Sequence, residues 1–315
     1  MGVGRVSAPQ KITDDFVQTF QIEGMNVRGR IVRLGAVADR VLQAHGYPDP
    51  VSAITGEALA IVALLGASLK FDGLLTLQVR SDGPVSMVVA DFAAPGTVRA
   101  CATYDLHKAA KPGAAMLGEG SFALTIDQGA DMDRYQGIVP LEAAGLTESV
   151  LNYFTQSEQI PTAMRVAAAT VVTRDEQGRL TRHWRAGGIL VQNIAVLGGQ
   201  GVQHLENPDE AWTRASILLN TAEAHELVDP QLTAERLLYR LYHEDGVRVF
   251  PPLPVQFGCR CAPERVLSVL QTYDREELSD LVVDGAIAAT CEFCSATYRF
   301  TLDEAGAQAP SADER

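Results

Sequence analysis

The chain lacks any apolar stretch that reads as a membrane span: its longest run, ALAIVALLGASL from Ala58 to Leu69, has twelve residues, short of the roughly 20 that a spanning helix needs. That run reads as a buried core helix. The opening MGVGRVSAPQKITDD has no apolar core, so no signal peptide is expected. Positive charge is also scarce: 26 Lys and Arg stand against 39 Asp and Glu, a net charge of −13. An acidic chain repels phosphate and anionic headgroups, so neither nucleic acid nor membrane is an expected partner. These expectations place the protein in the cytoplasm, where thiols are normally kept reduced. Catalytic signatures are missing as well. The six histidines form no HExxH, and His204, His225 and His243 read as surface or linker residues. Gly66 and Gly73 belong to no GxxxxGK[ST] phosphate loop, and LGGQG at 197–201 reads as a hinge. No Ser/His/Asp arrangement can be argued from spacing, no internal repeat is seen, and no enzymatic activity is expected.

What is present suffices for one large core and a smaller module: 315 residues, 47% of them hydrophobic. FVQTFQIEG and NVRGRIVRLG alternate and read as strands; AVADRVLQAHG reads as a short helix stopped by Gly46. A helix over roughly Ser52 to Lys70 is hydrophobic on nearly all sides, so other elements must surround it. GLLTLQVR and VSMVVAD flank the turn signal SDGP and predict a hairpin. TVRACATY, GSFALTID and RYQGIVPL read as strands, Thr147 to Gln159 as a helix, and TAMRVAAATVVT and GGILVQNIAV as extended chain. The fold class is α+β: an N-terminal sheet domain over residues 1–195, packed on a buried central helix. Residues 196–245 read as a helical linker. One helix opens at Asn207-Pro208 and carries Trp212, Ala215 and Leu219; the next opens at Asp229-Pro230 and carries Leu237, Leu238, Leu241 and Tyr242. Such narrow stripes make helices that are marginal alone, so both are expected to lean on the N-terminal domain and on the module that follows. That module spans residues 246–301, and the acidic tail, 302–315, is expected to be disordered.

Four of the five cysteines fall in FGCRCAPERV and TCEFCSATYRF: Cys259-x-Cys261, then 29 residues, then Cys291-x-x-Cys294. Two close pairs from separate segments are what a tetrahedral four-thiolate zinc site needs, and a metal staple suits a module too small to be secure alone. Phe257, Phe293, Tyr298 and Phe300 are bodies for a small core around one Zn2+ per chain. Structural disulfides fit a reducing compartment poorly. A thioredoxin-type CxxC opens a helix, whereas SATYRF is strand-like. A nucleic-acid zinc ribbon needs cations, and residues 246–301 hold five Arg and no Lys against seven Asp and Glu. The one-residue gap in CxC is unusual for a structural zinc pair. If an oxidant strips the metal, each pair can close locally, and loss of zinc would unfold the module. Cys101, in a strand-like stretch, reads as a small buried hydrophobe.

LTAERLLYRLYHEDGVRVFPPLPVQFGCRCAPERV and CEFCSATYRF, with GLLTLQVRSDGPVSMVVAD and AGGILVQNIA nearer the N-terminus, resemble the redox-regulated 33-kilodalton chaperonin family, bacterial heat-shock holdases. The likeness runs from about residue 14 to 301. It implies that Cys259, Cys261, Cys291 and Cys294 are the zinc ligands of a quiescent reduced monomer. It also implies that oxidation forms Cys259–Cys261 and Cys291–Cys294 disulfides, releases zinc, unfolds the linker and yields a homodimer. That dimer would hold unfolding or oxidatively damaged client proteins without ATP. Cys101, the first dozen residues and the tail after Leu302 lie outside the family pattern. A zinc-stabilised adaptor for one folded partner, with no switch, is the alternative; a linker of marginal helices beside a CxC pair is a feature that an adaptor does not need.

Overall fold

A computed structural model describes residues 14–68, 72–108, 116–129, 134–174, 177–194 and 207–306. The expected hinge at 197–201, His204, the start of the linker and the chain beyond 306 lie outside the described residues. The chain divides into two compact units, Met1–Phe257 and Gly258–Arg315.

The apolar run organises the first unit. After a short helix α1 (Ala36–Gln43), DPVSAITGEALAIVALLG forms α2 (Asp49–Gly66), with Pro50 in its first turn, where its missing N–H costs nothing. At 18 residues and a mean hydropathy of 1.4, α2 is long and apolar enough by length and composition to cross a membrane, yet most of it is buried within the fold. It packs between two antiparallel sheets. One has the order β10 (Val247–Val249), β1 (Phe16–Ile22), β2 (Val27–Leu34), β9 (Leu180–Asn193), β8 (Thr162–Arg174), with β11 (Leu253–Pro254) also on the free edge of β1. The other runs β12 (Gln256–Phe257), β5 (Thr97–Tyr104), β4 (Val85–Ala93), β3 (Leu74–Ser81), β6 (Gly120–Asp127), β7 (Tyr135–Pro140), with β12 joining in parallel. The α2 helix ends at Gly66, earlier than Lys70, and Gly66 sits against the Phe92 ring, where any Cβ would overlap it. The expected helix from Thr147 is α3 (Leu146–Tyr153), which loosens into a π-type turn through Glu158.

The other face of the first sheet carries Phe20, Ile22, Val27, Ile31, Ile189 and Val191, and the linker covers it. Where two linker helices were expected there are three: α4 (Pro208–Asn220), α5 (Ala224–Val228) and α6 (Ala234–Tyr242). Asn207 accepts a hydrogen bond from the Glu210 N–H, and Thr233 caps α6 in the same way. A capping box between Glu223 and Glu226 restarts the chain as α5, which is why the first predicted helix breaks. Ala215, Leu219, Leu237, Leu238, Leu241 and Tyr242 are buried, with Trp212 partly so.

Two boundaries differ from expectation. The second unit begins at Gly258, not at 246, because residues 247–257 return to the first unit: Val247–Val249 and Leu253–Pro254 pair with β1, and Gln256–Phe257 with β5. Phe257 therefore belongs to the first unit, where the Arg40 guanidinium lies over its ring at 4.4 Å. In place of a tail starting at 302, Leu302–Gly306 forms a helix whose Ala305 is fully buried. The second unit holds α7 (Pro263–Leu270), α8 (Arg275–Asp280), a sheet of β13 (Val282–Val283), β14 (Ala286–Thr290) and β15 (Thr297–Phe300), and this helix, α9. Its core is Leu270, Leu278, Ile287, Phe300 and Ala305, with Tyr298 packed against it.

Candidate metal centre and the covered sheet face

All four clustered cysteines meet in the second unit. Cys259 and Cys261 precede α7; Cys291 and Cys294 sit in the turn between β14 and β15, where the Ser295 N–H donates to the Cys291 carbonyl and the Cys291 N–H to that of Ala296. Ser295 takes a positive φ of 56° to close this turn. Their sulfurs lie within 4.8 Å of one another. Cys259 Sγ is 3.6 Å from Cys291 Sγ, and Cys261 Sγ is 3.4 Å from Cys294 Sγ. A tetrahedron with metal–sulfur bonds of about 2.3 Å has edges of about 3.8 Å, so these four residues suit a tetrahedral metal ion. A disulfide needs about 2.05 Å. Among the described residues this is the set that gathers metal-ligating groups in this way. CxxC opens no helix, which removes the geometry a thioredoxin-type thiol relies on.

Crowding sets the charge state. At Cys259 burial pushes upward, but the Cys261 N–H and the neighbouring thiols outweigh it and bring the thiol down to about 7. Burial, joined by those neighbours, pushes Cys294 up to about 12, and burial raises Cys291 too. One thiolate forms readily, and the next is resisted. A dication held by the four sulfurs would remove that resistance, because coordinated thiols ionise outright. The Tyr298 hydroxyl donates to Cys261 Sγ at 3.1 Å, a contact that sequence reasoning, which took Tyr298 for an apolar body, did not find.

In the first unit, the linker is held by more than apolar stripes. Arg33 of β2, 1% exposed, donates to the carbonyls of Glu226 and Asp229. Arg185 of β9 donates to the Val228 carbonyl at 2.7 Å and forms a two-pronged pair with Asp14 at 2.6 and 2.7 Å. Two sheet arginines thus take up the carbonyls at the end of α5, which no helical N–H satisfies. Burial first, then the charge of Arg185, lowers the pKa of Arg33. Gly187 of β9, paired with Arg33 and two residues from Arg185, brings the sheet backbone against the Leu227 carbonyl. The sequence signal was an arginine at an inward position of the apolar strand RIVRLG. Cys101 is buried on β5, 2% exposed.

The family model described as Hsp33 protein matches residues 15–301. A 33 kDa chaperonin of Caulobacter vibrioides is 44% identical over 305 residues, covering 94% of this chain and 97% of its own length. One from Pseudomonas syringae pv. syringae is 37% identical, covering 91% of this chain and 90% of its own. Among solved structures, that of the 33 kDa chaperonin of Thermotoga maritima shares the fold, with a TM-score of 0.69 at 23% identity, covering 93% of this chain and 97% of the other. This chain belongs to the Hsp33 family.

Proposed function

We propose that this protein is a redox-regulated, ATP-independent chaperone of the cytoplasm, inactive when reduced and zinc-bound and active when oxidised. The observation that carries this reading is a covered apolar face: Phe20, Ile22, Val27, Ile31, Ile189 and Val191 lie beneath three short linker helices rather than inside a closed core. Opened, that face is large and apolar enough to hold unfolding chains or a second copy of the protein. Membership of a family whose relatives are named chaperonins supports the same reading.

The chain supplies the control element. Cys259, Cys261, Cys291 and Cys294 would hold one zinc ion as thiolates, and zinc, when bound, would offset part of their charge and staple the second unit. Oxidation converts thiolates to disulfides, in our reading Cys259–Cys261 and Cys291–Cys294. Contacts between the two segments, such as Cys259 to Cys291 and Cys261 to Cys294, must then part. Cys259 lies two residues beyond Phe257, and the strands Val247–Phe257 tie the end of α6 to the sheets. Unfolding around Cys259 would fray those strands and then the linker, so a reduced monomer would become a client-binding homodimer.

The test follows zinc release during peroxide treatment together with suppression of aggregation of an unrelated unfolding protein. Release and activity should rise together and reverse with thiol reductant. Zinc release without any gain in holding activity would leave a zinc-stabilised adaptor as the better reading.

A further inference from the structure

Three of the four sulfurs take hydrogen bonds from the backbone around them: Cys259 from the Cys261 N–H, Cys291 from those of Phe293 and Cys294, and Cys294 from that of Ala296. These donors come with the turns. Cys261 has a side-chain donor: Tyr298 Oη at 3.1 Å, reaching across from β15, where Tyr298 pairs with Ala289. Its ring packs against the core of the second unit while its hydroxyl turns to the sulfur. The hydroxyl is therefore the one of these contacts that a substitution can remove without disturbing a turn.

We propose that Tyr298 is a tuning residue of the thiolate centre, its hydroxyl holding Cys261 back from oxidation and toward the metal. The inference rests on the zinc-thiolate reading above. The chemistry is charge transfer away from sulfur. In the first step a thiolate attacks one oxygen of hydrogen peroxide, the O–O bond breaks, an S–O bond forms and hydroxide leaves. In the second step the paired thiolate attacks that sulfur, the S–S bond forms and the second hydroxide departs. Two protons from solvent convert both hydroxides to water. Sulfur loses two electrons, peroxide gains them, and the metal leaves as an unchanged dication. In both steps negative charge moves from sulfur to oxygen. A hydrogen bond to the thiolate is strongest before that movement, so it stabilises the starting state more than the transition state. It also fixes the direction in which the Cys261 sulfur points, as outer-shell hydrogen bonds do for metal ligands.

The experiment compares full-length wild type, Tyr298→Phe and Tyr298→Ala, each reduced and loaded with zinc or cobalt(II). Phe keeps the ring and loses only the hydroxyl. Tyr298→Phe should bind one metal per chain with affinity lowered about 10-fold, the lower end for a residue supporting a metal ligand. Peroxide-driven zinc release, followed with a metallochromic indicator, should quicken about 2- to 10-fold, the worth of one hydrogen bond. The sulfur-to-cobalt charge-transfer band should move to lower energy, because a sulfur relieved of its donor gives up electrons more easily. Identical band, affinity and release rate in wild type and Tyr298→Phe, with change only in Tyr298→Ala, would show that the tyrosine merely packs and would overturn the proposal. Wild type that takes up neither zinc nor cobalt would sink the metal-centre reading itself, a different failure from an unchanged Phe variant.

Discussion

Gly187→Ala is expected to lift the linker off the sheet in fully reduced protein. A methyl group there would overlap the Leu227 carbonyl oxygen and lie 3.0 Å from its carbon, with the Val32 carbonyl oxygen 3.3 Å away on the other side. Both neighbours are backbone, so neither swings aside as a side chain would. Overpacking of this kind costs about 1–3 kcal/mol. The stiffening of the unfolded chain that replacing glycine brings does not enter here, because β9 stays folded whether the linker is docked or open. Retreat of Leu227 draws the Glu226, Val228 and Asp229 carbonyls away from Arg33 and Arg185, and charge-assisted bonds weaken with distance. A net of about 2 kcal/mol shifts the docked-to-open ratio about 30-fold. Hydrogen exchange on reduced, zinc-loaded protein should show faster exchange across 208–242 while α2 stays protected, and aggregation assays without oxidant should show partial holding activity. Gly188→Ala is the control. Its methyl would point to the other face, 2.7 Å from a Val166 methyl and 3.2 Å from Leu64, and should lower global stability without opening the linker selectively. Unchanged exchange in Gly187→Ala would refute the packing argument; an open linker with no holding activity would refute the coupling of linker to function.

Leu238, 1% exposed beneath α6, should not tolerate charge: Leu238→Glu is expected to cost at least about 2 kcal/mol and to give partial holding activity without oxidant, read in the same aggregation assay. Glu57, half-buried on α2, has its carboxyl raised to about 7, by burial first and Glu148 second. A raised carboxyl stabilises the fold when protonated, and that contribution fades as pH climbs through 7. Glu57→Gln should therefore raise the free energy of unfolding at pH 8 by on the order of 2 kcal/mol, read as a higher denaturant midpoint, and change little at pH 4. Cys101→Ala should leave zinc content and peroxide activation as in wild type, since Cys101 is buried in β5; a lost switch would reveal a redox partner for it.

The parts legible in the sequence are those whose cause is local. Period-two alternation exposed the strands, and unbroken apolarity gave away α2, because a helix without a polar face must be enclosed. Asn207-Pro208 announced α4 through its cap. The cysteine spacing disclosed a metal centre because each pair needs only its own turn. What stayed hidden depends on distant partners. Leu253–Pro254 reads as loop, yet a proline is tolerated on a sheet edge, and its partner Phe16 lies more than 200 residues away. Leu302–Gly306 has a weak sequence for a helix; it forms where Ala305 enters the core and Asp303 meets Arg275 at 2.7 Å. The nearness of Cys259 to Cys291, across segments, depends on how the turns meet and not on either spacing.

The arginines beneath the linker explain how such a cover can be well placed without being hard to remove. Burying a guanidinium is expensive, and Arg33 sits beside a second one, Arg185, with its own Nε finding no hydrogen-bond partner among the described residues. The carbonyls of residues 226 and 229 take its hydrogen bonds, with the Asp14 and Asp229 carboxylates favouring its charge, and those carbonyls are in place in one register of the linker. Misplaced docking would leave a buried charge unpaired, so the pair enforces position. When the linker departs, Arg33 regains water, and this rehydration offsets part of the apolar burial lost from Leu227, Leu237, Leu238 and Tyr242. Opening in the proposed switch therefore costs less than the covered area alone would suggest. An all-apolar contact of the same extent would hold more tightly and in more than one register, which is the opposite of what a releasable cover requires.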